Sequence, residues 1–224
     1  MAMTLGRELF ESKQTDALIE ALIEQIMVYS QQVEGVRGPE AKLEAGALKA
    51  IQDVGAVRSR PLFYNYIGSG LGRGPYVELQ DGSVKLDLIN GIGIHLFGHS
   101  HPRVLRATLK GAISDIVQQG NLQPNSEYLE LSSTLLRIAK KNSRLNYVWL
   151  STCGTMANEN ALKIARQKKR GARMILTFNN AFAGRSTLMT EITDNPAFKV
   201  GMPDYNEVLR LPFYDPKDKD KTLN

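Results

Sequence analysis

The sequence predicts an α/β fold with a parallel sheet, and the evidence lies in the second half of the chain. An apolar run from Tyr147 to Leu150 leads through a small polar turn into a helical segment. A second apolar run, Met174 to Phe178, follows that helix. Strand, helix and strand in this order indicate two parallel strands joined by a right-handed crossover. Ligands of such sheets bind beyond the carboxyl ends of the strands, where the polar turn lies.

Two helices are predicted near the start of the chain, as an N-terminal arm. Thr15 or Asp16 can cap the first helix. Three apolar residues share one face of it: Leu18, Leu22 and Ile26. Pro39 can start the second helix, which can end at Gly55.

A β-hairpin is predicted next, because residues 76–80 and 83–88 alternate in character around Asp81-Gly82. Two amphipathic helices follow. The apolar positions of the first are Leu105, Leu109, Ala112 and Ile116. Those of the second are Leu131, Leu135 and Ile138.

The turn at Cys153-Gly154-Thr155 is a candidate anion site. The first backbone N–H groups of a helix have no partner inside it, and the aligned peptide dipoles add positive potential there. Gly154 lets backbone approach a ligand closely, and the Thr155 hydroxyl can cap the helix or bind a phosphate oxygen. The alternative is an ordinary strand-turn-helix junction whose small residues only make the bend.

Three segments of the chain together carry a resemblance to a known family. They are Asp87 to Pro102, Leu150 to Lys163 and Asn179 to Ser186, in that order. Their order and spacing resemble the class III pyridoxal-phosphate aminotransferases, the family of acetylornithine, ornithine and 4-aminobutyrate aminotransferases. The resemblance covers about residues 70 to 215, and the stretch from Phe178 to Asp215 is most similar to the acetylornithine branch.

The resemblance implies roles for five residues. Cys153, Gly154 and Thr155 match the family's phosphate-binding turn, Phe182 matches the aromatic residue that lies against the cofactor ring, and Arg185 matches the arginine that holds the substrate α-carboxylate. The residue types suit these tasks, because an aromatic face stacks on a pyridine ring and a guanidinium grips a carboxylate through two parallel hydrogen bonds. Without the resemblance, Phe182 would be interpreted as core and Arg185 as a solvated charge.

The chain departs from the family pattern at two positions of these motifs. Ala183 stands where the family usually has histidine, and Met156 replaces the common glutamate. The first change removes a polar contact beside the ring. We expect both to affect rate or specificity more than the identity of the cofactor.

The resemblance also implies a lysine that forms a Schiff base with the cofactor and an acid that keeps its ring nitrogen protonated. In the family both follow the region matched here, so the sequence is interpreted as the N-terminal half of an aminotransferase, without a catalytic residue of its own. Lys163 lies on the helix after the phosphate turn, and the basic run from Lys168 to Arg170 suits a helix end. Neither is a substitute.

The fold class is therefore predicted as α/β of the aspartate-aminotransferase type, with an incomplete fold type I large domain. Residues 1–100 are predicted to form the helical arm and the small-domain hairpin, and residues 101–224 the first half of the cofactor-binding domain. The expected cofactor is pyridoxal 5′-phosphate, and the expected assembly is a cytoplasmic homodimer.

The parent reaction is predicted to move an amino group from an ω-amino donor such as acetylornithine to 2-oxoglutarate. The alternative donors are ornithine, lysine and 4-aminobutyrate. The chain alone is expected to be inactive. A rival interpretation is a non-catalytic half-protein that binds a phosphate ligand or a complementary chain. A nucleotide-binding fold is disfavoured, because the turn lacks both glycine-rich spacings that bind nucleotides.

Composition narrows the partners. At 42% hydrophobic and 23% charged residues the chain can bury a core, and one cysteine rules out an internal disulfide framework. A membrane segment is not predicted, because the sequence contains neither a long apolar run nor the apolar core of a signal peptide. The net charge of +5 suggests nucleic acid as a partner. Nucleic acid is nevertheless not predicted, because the basic residues are scattered among acidic ones. A metal site is not predicted, since His99 and His101 stand on a short loop with few other soft ligands.

Overall fold

The computed structural model describes residues 2–114 and 124–217, which form two compact units that divide between residues 118 and 119. The chain is mixed α/β, as predicted. Across these described residues, none of the helices has both the length and the apolar character that a bilayer crossing needs. The boundary predicted after residue 100 concerns the domains of a complete aminotransferase and stays a prediction.

The first unit begins with helix α1 (Leu5–Glu11) and helix α2 (Lys13–Ser30). Ser12 separates them in extended conformation and caps α2 by accepting a hydrogen bond from the Thr15 amide at 3.4 Å. The predicted caps at Thr15 and Asp16 are therefore wrong.

The predicted apolar face of α2 is wrong at two of its three positions, since only Ile26 is half-buried. Ile19 and Ile23 are buried, whereas Leu18 is 67% and Leu22 47% exposed. Helix α5 (Pro102–Ala112) packs against α2, and Lys110 Nζ lies 2.7 Å from the Asp16 carboxylate. A helix buries the face that a neighbour covers, and spacing alone does not reveal which face that is.

Helix α3 (Ala41–Val57) begins two residues after Pro39 and continues past Gly55. Helix α3 begins later than predicted because the segment before it pairs with the hairpin at residues 76–86. Arg37 forms a β-bridge with Val84, and the Glu40 amide donates to the Asp81 carbonyl at 2.8 Å.

The predicted hairpin is confirmed as strands β2 (Tyr76–Leu79) and β3 (Val84–Leu86), antiparallel around a turn in which Gly82 has φ 78°. Strand β1 (Gly68–Arg73) pairs with β2 and was not predicted, since its glycine-rich sequence lacks the usual strand residues. The buried apolar side chains of this unit are Ile19, Ile23, Val33, Ala47, Leu79 and Val84.

The loop before α5 is held by polar contacts, with a short helix α4 (Asn90–Gly93) inside it. His99 Nε2 lies 2.8 Å from Asp87 Oδ2, and the His99 and Gly74 backbones exchange two hydrogen bonds. These contacts give His99 a structural role in this loop. Helix α5 starts at Pro102, and Ile116, predicted on its apolar face, lies outside the described residues.

The second unit contains helices α6 (Ser126–Ala139), α7 (Gly154–Lys168) and α8 (Met189–Ile192). Strands β4 (Met174–Phe178) and β5 (Glu207–Leu211) pair in parallel along their full lengths. The run from Tyr147 to Leu150 is not a strand, so that prediction is wrong. The two parallel strands of this unit are instead β4 and β5, whose backbone groups pair with each other.

Candidate cofactor and substrate site

The start of α7 has the geometry of an anion site. Cys153 is the N-cap in extended conformation, and the first backbone hydrogen bond of the helix runs from the Ala157 amide to the Cys153 carbonyl at 3.0 Å. The amides of Gly154, Thr155 and Met156 therefore have no acceptor inside the helix. In the part of the chain that the structure describes, no side chain caps this helix, so these donors are available to a ligand.

The two predicted phosphate-turn residues differ in their surroundings. A Cβ built on Gly154 would meet no heavy atom within 4 Å, so the space beside this residue is open. Thr155 is the second residue of α7 and cannot be its N-cap, which corrects one of the two roles predicted for its hydroxyl. Within residues 2–114 and 124–217, no hydrogen bond to that hydroxyl is present, which leaves it free for a phosphate oxygen.

The loop after β4 lies directly on this helix start. Gly184 has φ 138° and approaches Thr155 so closely that a Cβ on it would lie 2.5 Å from Thr155 Oγ1. Asn158 Nδ2 donates to the Ala183 carbonyl at 2.8 Å, one turn further along α7. The structure thus brings together the phosphate turn and the motif that contains Phe182 and Arg185.

Two further contacts anchor the same loop. The Ser186 hydroxyl donates to Glu159 Oε1 at 2.5 Å, and the Thr193 hydroxyl contacts the backbone of residues 183 and 184. Asn158, Glu159 and Thr193 were not predicted as positioning residues. Asn158 and Glu159 stand inside the recognised motif and could have been suspected, whereas Thr193 carries no sequence signal.

Phe182 and Arg185 are both exposed beside the turn. The Phe182 side chain is 66% exposed, so it is not a core residue within this unit. Arg185 has its guanidinium carbon 6.0 Å from the centre of the Phe198 ring, which is the outer limit of a cation–π contact. The ring face and the guanidinium are accessible to a ligand.

The arrangement suits a phosphorylated aromatic ligand that carries or meets a carboxylate. Unpaired helix amides and the Thr155 hydroxyl supply phosphate donors, and open space beside Gly154 admits a phosphate at backbone distance. The exposed Phe182 ring can cover a flat ring, and Arg185 can pair with a carboxylate. Among the described residues, no group of three or more His, Cys, Asp or Glu side chains could hold a metal ion.

Solved structures define the class of the fold. The chain matches a thermostable (S)-enantioselective omega-transaminase from Thermomicrobium roseum with a TM-score of 0.62 and 22% identity, over 74% of this chain and 40% of that one. It matches an amine transaminase from an uncultivated Pseudomonas species, in its PLP-bound form, with a TM-score of 0.58 and 22% identity, over 68% and 36%. The fold is that of the α/β, fold type I transaminases, in part.

Sequence comparison then defines the family. The aminotransferase class-III family matches residues 55–223, which is most of the chain. The probable mitochondrial acetylornithine aminotransferase of Schizosaccharomyces pombe is 33% identical over 162 residues, and the acetylornithine aminotransferase of Bacillus cereus is 34% identical over 154 residues. The chain belongs to the class III aminotransferase family.

The extent of these matches is partial. The aligned region is 68% of this chain but only 36% of the Schizosaccharomyces pombe protein and 38% of the Bacillus cereus protein. The chain therefore spans little more than a third of the length of these relatives. Family membership, together with the PLP-bound transaminase structure, supports pyridoxal 5′-phosphate as the cofactor.

Proposed function

We propose that this chain contributes the phosphate-binding and substrate-carboxylate part of a pyridoxal-phosphate aminotransferase that uses acetylornithine as amino donor and 2-oxoglutarate as acceptor. The observation that carries the proposal is the contact of Gly184 with Thr155, which places the Phe182 and Arg185 motif on the phosphate turn. The names of the two acetylornithine aminotransferases support the choice of donor. Ornithine, lysine and 4-aminobutyrate are the alternative donors.

Each residue has a task in this proposal. The amides of Gly154 and Thr155 and the Thr155 hydroxyl bind the phosphate of the cofactor, next to the Cys153 cap. Phe182 covers one face of the ring, and Arg185 orients the donor through its α-carboxylate. When bound, the cofactor would supply an electron sink for breaking the C–H bond at the carbon that carries the transferred amino group.

The 224-residue chain alone is proposed to bind the cofactor weakly and to have no turnover. Phosphate capture needs only the helix start and its turn, whereas the chemistry needs a lysine and an acid that no residue of the site supplies. A helix terminus contributes about 0.3–1 kcal/mol, and ~2 kcal/mol when partly buried. Binding should therefore be noncovalent and dependent on the phosphate. We include a homodimer and a cytoplasmic location in the proposal, the latter because a single cysteine suits a reducing compartment.

A second candidate function is a half-protein that associates with a complementary chain. Strands β4 and β5 leave large apolar side chains uncovered: Met174 is 62%, Leu176 62%, Phe178 47% and Leu209 52% exposed. Parallel strands are ordinarily covered on both faces by other elements. This exposure favours association with chain segments that supply the missing neighbours.

One experiment tests the proposed function and separates it from an enzyme that is complete in this chain. The chain is titrated with pyridoxal phosphate and with pyridoxal, using the fluorescence of its single tryptophan, Trp149, which precedes the phosphate turn by four residues. It is then reduced with borohydride in the presence of cofactor and its peptides are mapped by mass. We expect phosphate-dependent binding, no turnover and only scattered partial labelling of lysines.

Two results would overturn the proposal. Equal affinity for pyridoxal and pyridoxal phosphate would show that the helix start does not capture phosphate. A single stoichiometrically labelled lysine, together with turnover of acetylornithine, would show that the chain holds a complete catalytic centre.

A further inference from the structure

We propose that Thr193 is a positioning residue that holds the segment from Phe182 to Arg185 on the phosphate-binding end of α7. The inference rests on the proposed function, because it concerns how that site keeps its shape. Thr193 immediately follows α8, and its side chain is not aimed at a ligand. It acts through the backbone of residues 183 and 184.

The hydroxyl of Thr193 is saturated by that backbone. It accepts hydrogen bonds from the amides of Ala183 at 2.9 Å and Gly184 at 3.2 Å, and it donates to the Gly184 carbonyl at 2.9 Å. Thr193 is only 2% exposed, so water does not compete for these bonds. Buried hydrogen bonds of this kind are costly to lose, because each unpaired donor or acceptor then lacks a partner.

The same two residues are held from the opposite side by α7. Asn158 donates to the Ala183 carbonyl at 2.8 Å, and Gly184 lies against Thr155. The peptide between Ala183 and Gly184 is therefore clamped between Thr193 and the helix that carries the phosphate turn. Phe182 and Arg185 are the chain neighbours of this clamped peptide, so the clamp determines where their side chains lie.

Thr193 is itself fixed to strand β5. The guanidinium of Arg210 donates to the carbonyls of Glu191 at 2.7 Å, Ile192 at 3.1 Å and Thr193 at 3.3 Å. Arg210 also forms an ion pair with Asp194 at 3.4 Å. Thr193 is thus attached to strand β5 of the sheet rather than to a free loop.

The clamp matters because it holds Ala183 through the backbone. Ala183 has no polar side chain, so only its backbone can fix this part of the loop. Removing the Thr193 hydroxyl frees two amides and one carbonyl at once. The loop then leaves Thr155, and both exposed ligand-binding side chains lose their fixed distance from the phosphate turn.

The test compares Thr193→Val with Thr193→Ser and with a matched control, Thr190→Val. Thr190 is 5% exposed and lies in α8, and its hydroxyl donates only to the Thr187 carbonyl at 2.9 Å. Amide hydrogen exchange is measured in the ligand-free chain, which requires no cofactor. We expect the amides of Ala183 and Gly184 to exchange about tenfold faster in Thr193→Val, with near-normal exchange in Thr193→Ser and Thr190→Val.

A second measurement links the clamp to the site. The affinity for pyridoxal phosphate should fall on the order of tenfold in Thr193→Val and remain unchanged in Thr190→Val. If Thr193→Val does not fold, Asn158→Ala removes the opposing bond from an exposed position and should loosen the same two amides.

The outcomes separate this inference from the proposed function. Equal exchange at residues 183 and 184 in Thr193→Val and Thr190→Val would overturn the positioning role. If residues 183 and 184 exchange faster in Thr193→Val than in Thr190→Val, but the unmodified chain does not bind the cofactor, the positioning role stands and the proposed function is overturned. Faster exchange with unchanged cofactor affinity would overturn the claimed link between the clamp and the site.

Discussion

Thr155 and Gly184 touch so closely that any side chain on the second residue would collide with the first. The ideal Cβ position of Gly184 lies 2.5 Å from Thr155 Oγ1, 2.7 Å from its Cγ2 and 2.9 Å from its Cβ. Gly184 also has φ 138°, a backbone conformation that side chains rarely adopt. This one contact joins the phosphate turn to the loop that carries the ring-stacking and carboxylate-binding residues.

Replacing Gly184 with alanine should destabilise the second unit. Overlap with Thr155 and a strained backbone both oppose the folded state, and a loss of about 1–3 kcal/mol in the free energy of unfolding is expected. Urea denaturation measures it. Gly111→Ala is the control, since a Cβ there meets no atom within 4 Å. A Gly184→Ala chain as stable as this control would contradict the close contact.

Replacing Phe182 with leucine should weaken cofactor binding without unfolding the chain. The ring is 66% exposed, so a surface substitution should change the free energy of unfolding by less than about 0.5 kcal/mol. Loss of stacking should cost about 0.5–1.5 kcal/mol of binding energy for pyridoxal phosphate. Tryptophan fluorescence titration measures this loss, with Phe63→Leu, 89% exposed in the first unit, as control. Equal affinities of the two variants would remove Phe182 from the site.

Replacing Arg185 with lysine in an active enzyme should raise the Michaelis constant for the amino donor. Lysine keeps the charge but loses the two parallel hydrogen bonds, which should cost roughly 1.5–3 kcal/mol, or ten- to hundredfold in affinity. Steady-state kinetics with acetylornithine measure it. Arg173→Lys, at an exposed position before β4, is the matched control. An unchanged Michaelis constant in Arg185→Lys would exclude this residue from carboxylate binding.

Acid should destabilise the first unit through Asp87. The His99 side chain hydrogen-bonds to this carboxylate and the amides of Asn90 and Ile89 donate to it, so the pKa of Asp87 is lowered although burial opposes the shift. A lowered pKa stabilises the fold above the ordinary aspartate pKa of about 3.9, and that stability is lost as the pH falls through the folded value.

Urea denaturation between about pH 3 and pH 6 tests this dependence. The Asp87→Asn chain should be less stable than the unmodified chain at pH 6, and the difference should shrink toward pH 3. A stability difference that does not change with pH would show that the charge of Asp87 does not stabilise the unit.

The predictions from sequence succeeded where local signals and tertiary contacts agree. The hairpin around Asp81-Gly82 is such a case, because the turn residues suit the positive φ of Gly82 and the Asp81 side chain accepts hydrogen bonds from Ser83. The apolar strand from Met174 to Phe178 likewise has a partner in β5, which lets its backbone groups pair.

The predictions failed where a neighbour decides the outcome. Leu18 and Leu22 share a helical face, and so do Ile19 and Ile23. The elements that pack against α2, which are α1, β1 and α5, determine which pair is buried. Tyr147 to Leu150 is apolar enough for a strand but does not adopt strand conformation, because an apolar run alone does not determine whether a sheet forms beside it. At the site, motif residues were recognised from sequence, whereas Thr193 was not, because a buried threonine that contacts backbone has no distinctive pattern.

The central claim, that the start of α7 captures the phosphate of the cofactor, is tested most directly by Gly154→Ala. Apart from its own helical turn, no heavy atom of the described residues lies within 4 Å of a Cβ at Gly154. The free energy of unfolding should therefore stay constant or rise by about 0.4–1 kcal/mol, as for the control Gly46→Ala in α3. The affinity for pyridoxal phosphate should fall about tenfold in Gly154→Ala alone, because the added methyl occupies space that the phosphate needs. Unchanged affinity in Gly154→Ala would contradict the account.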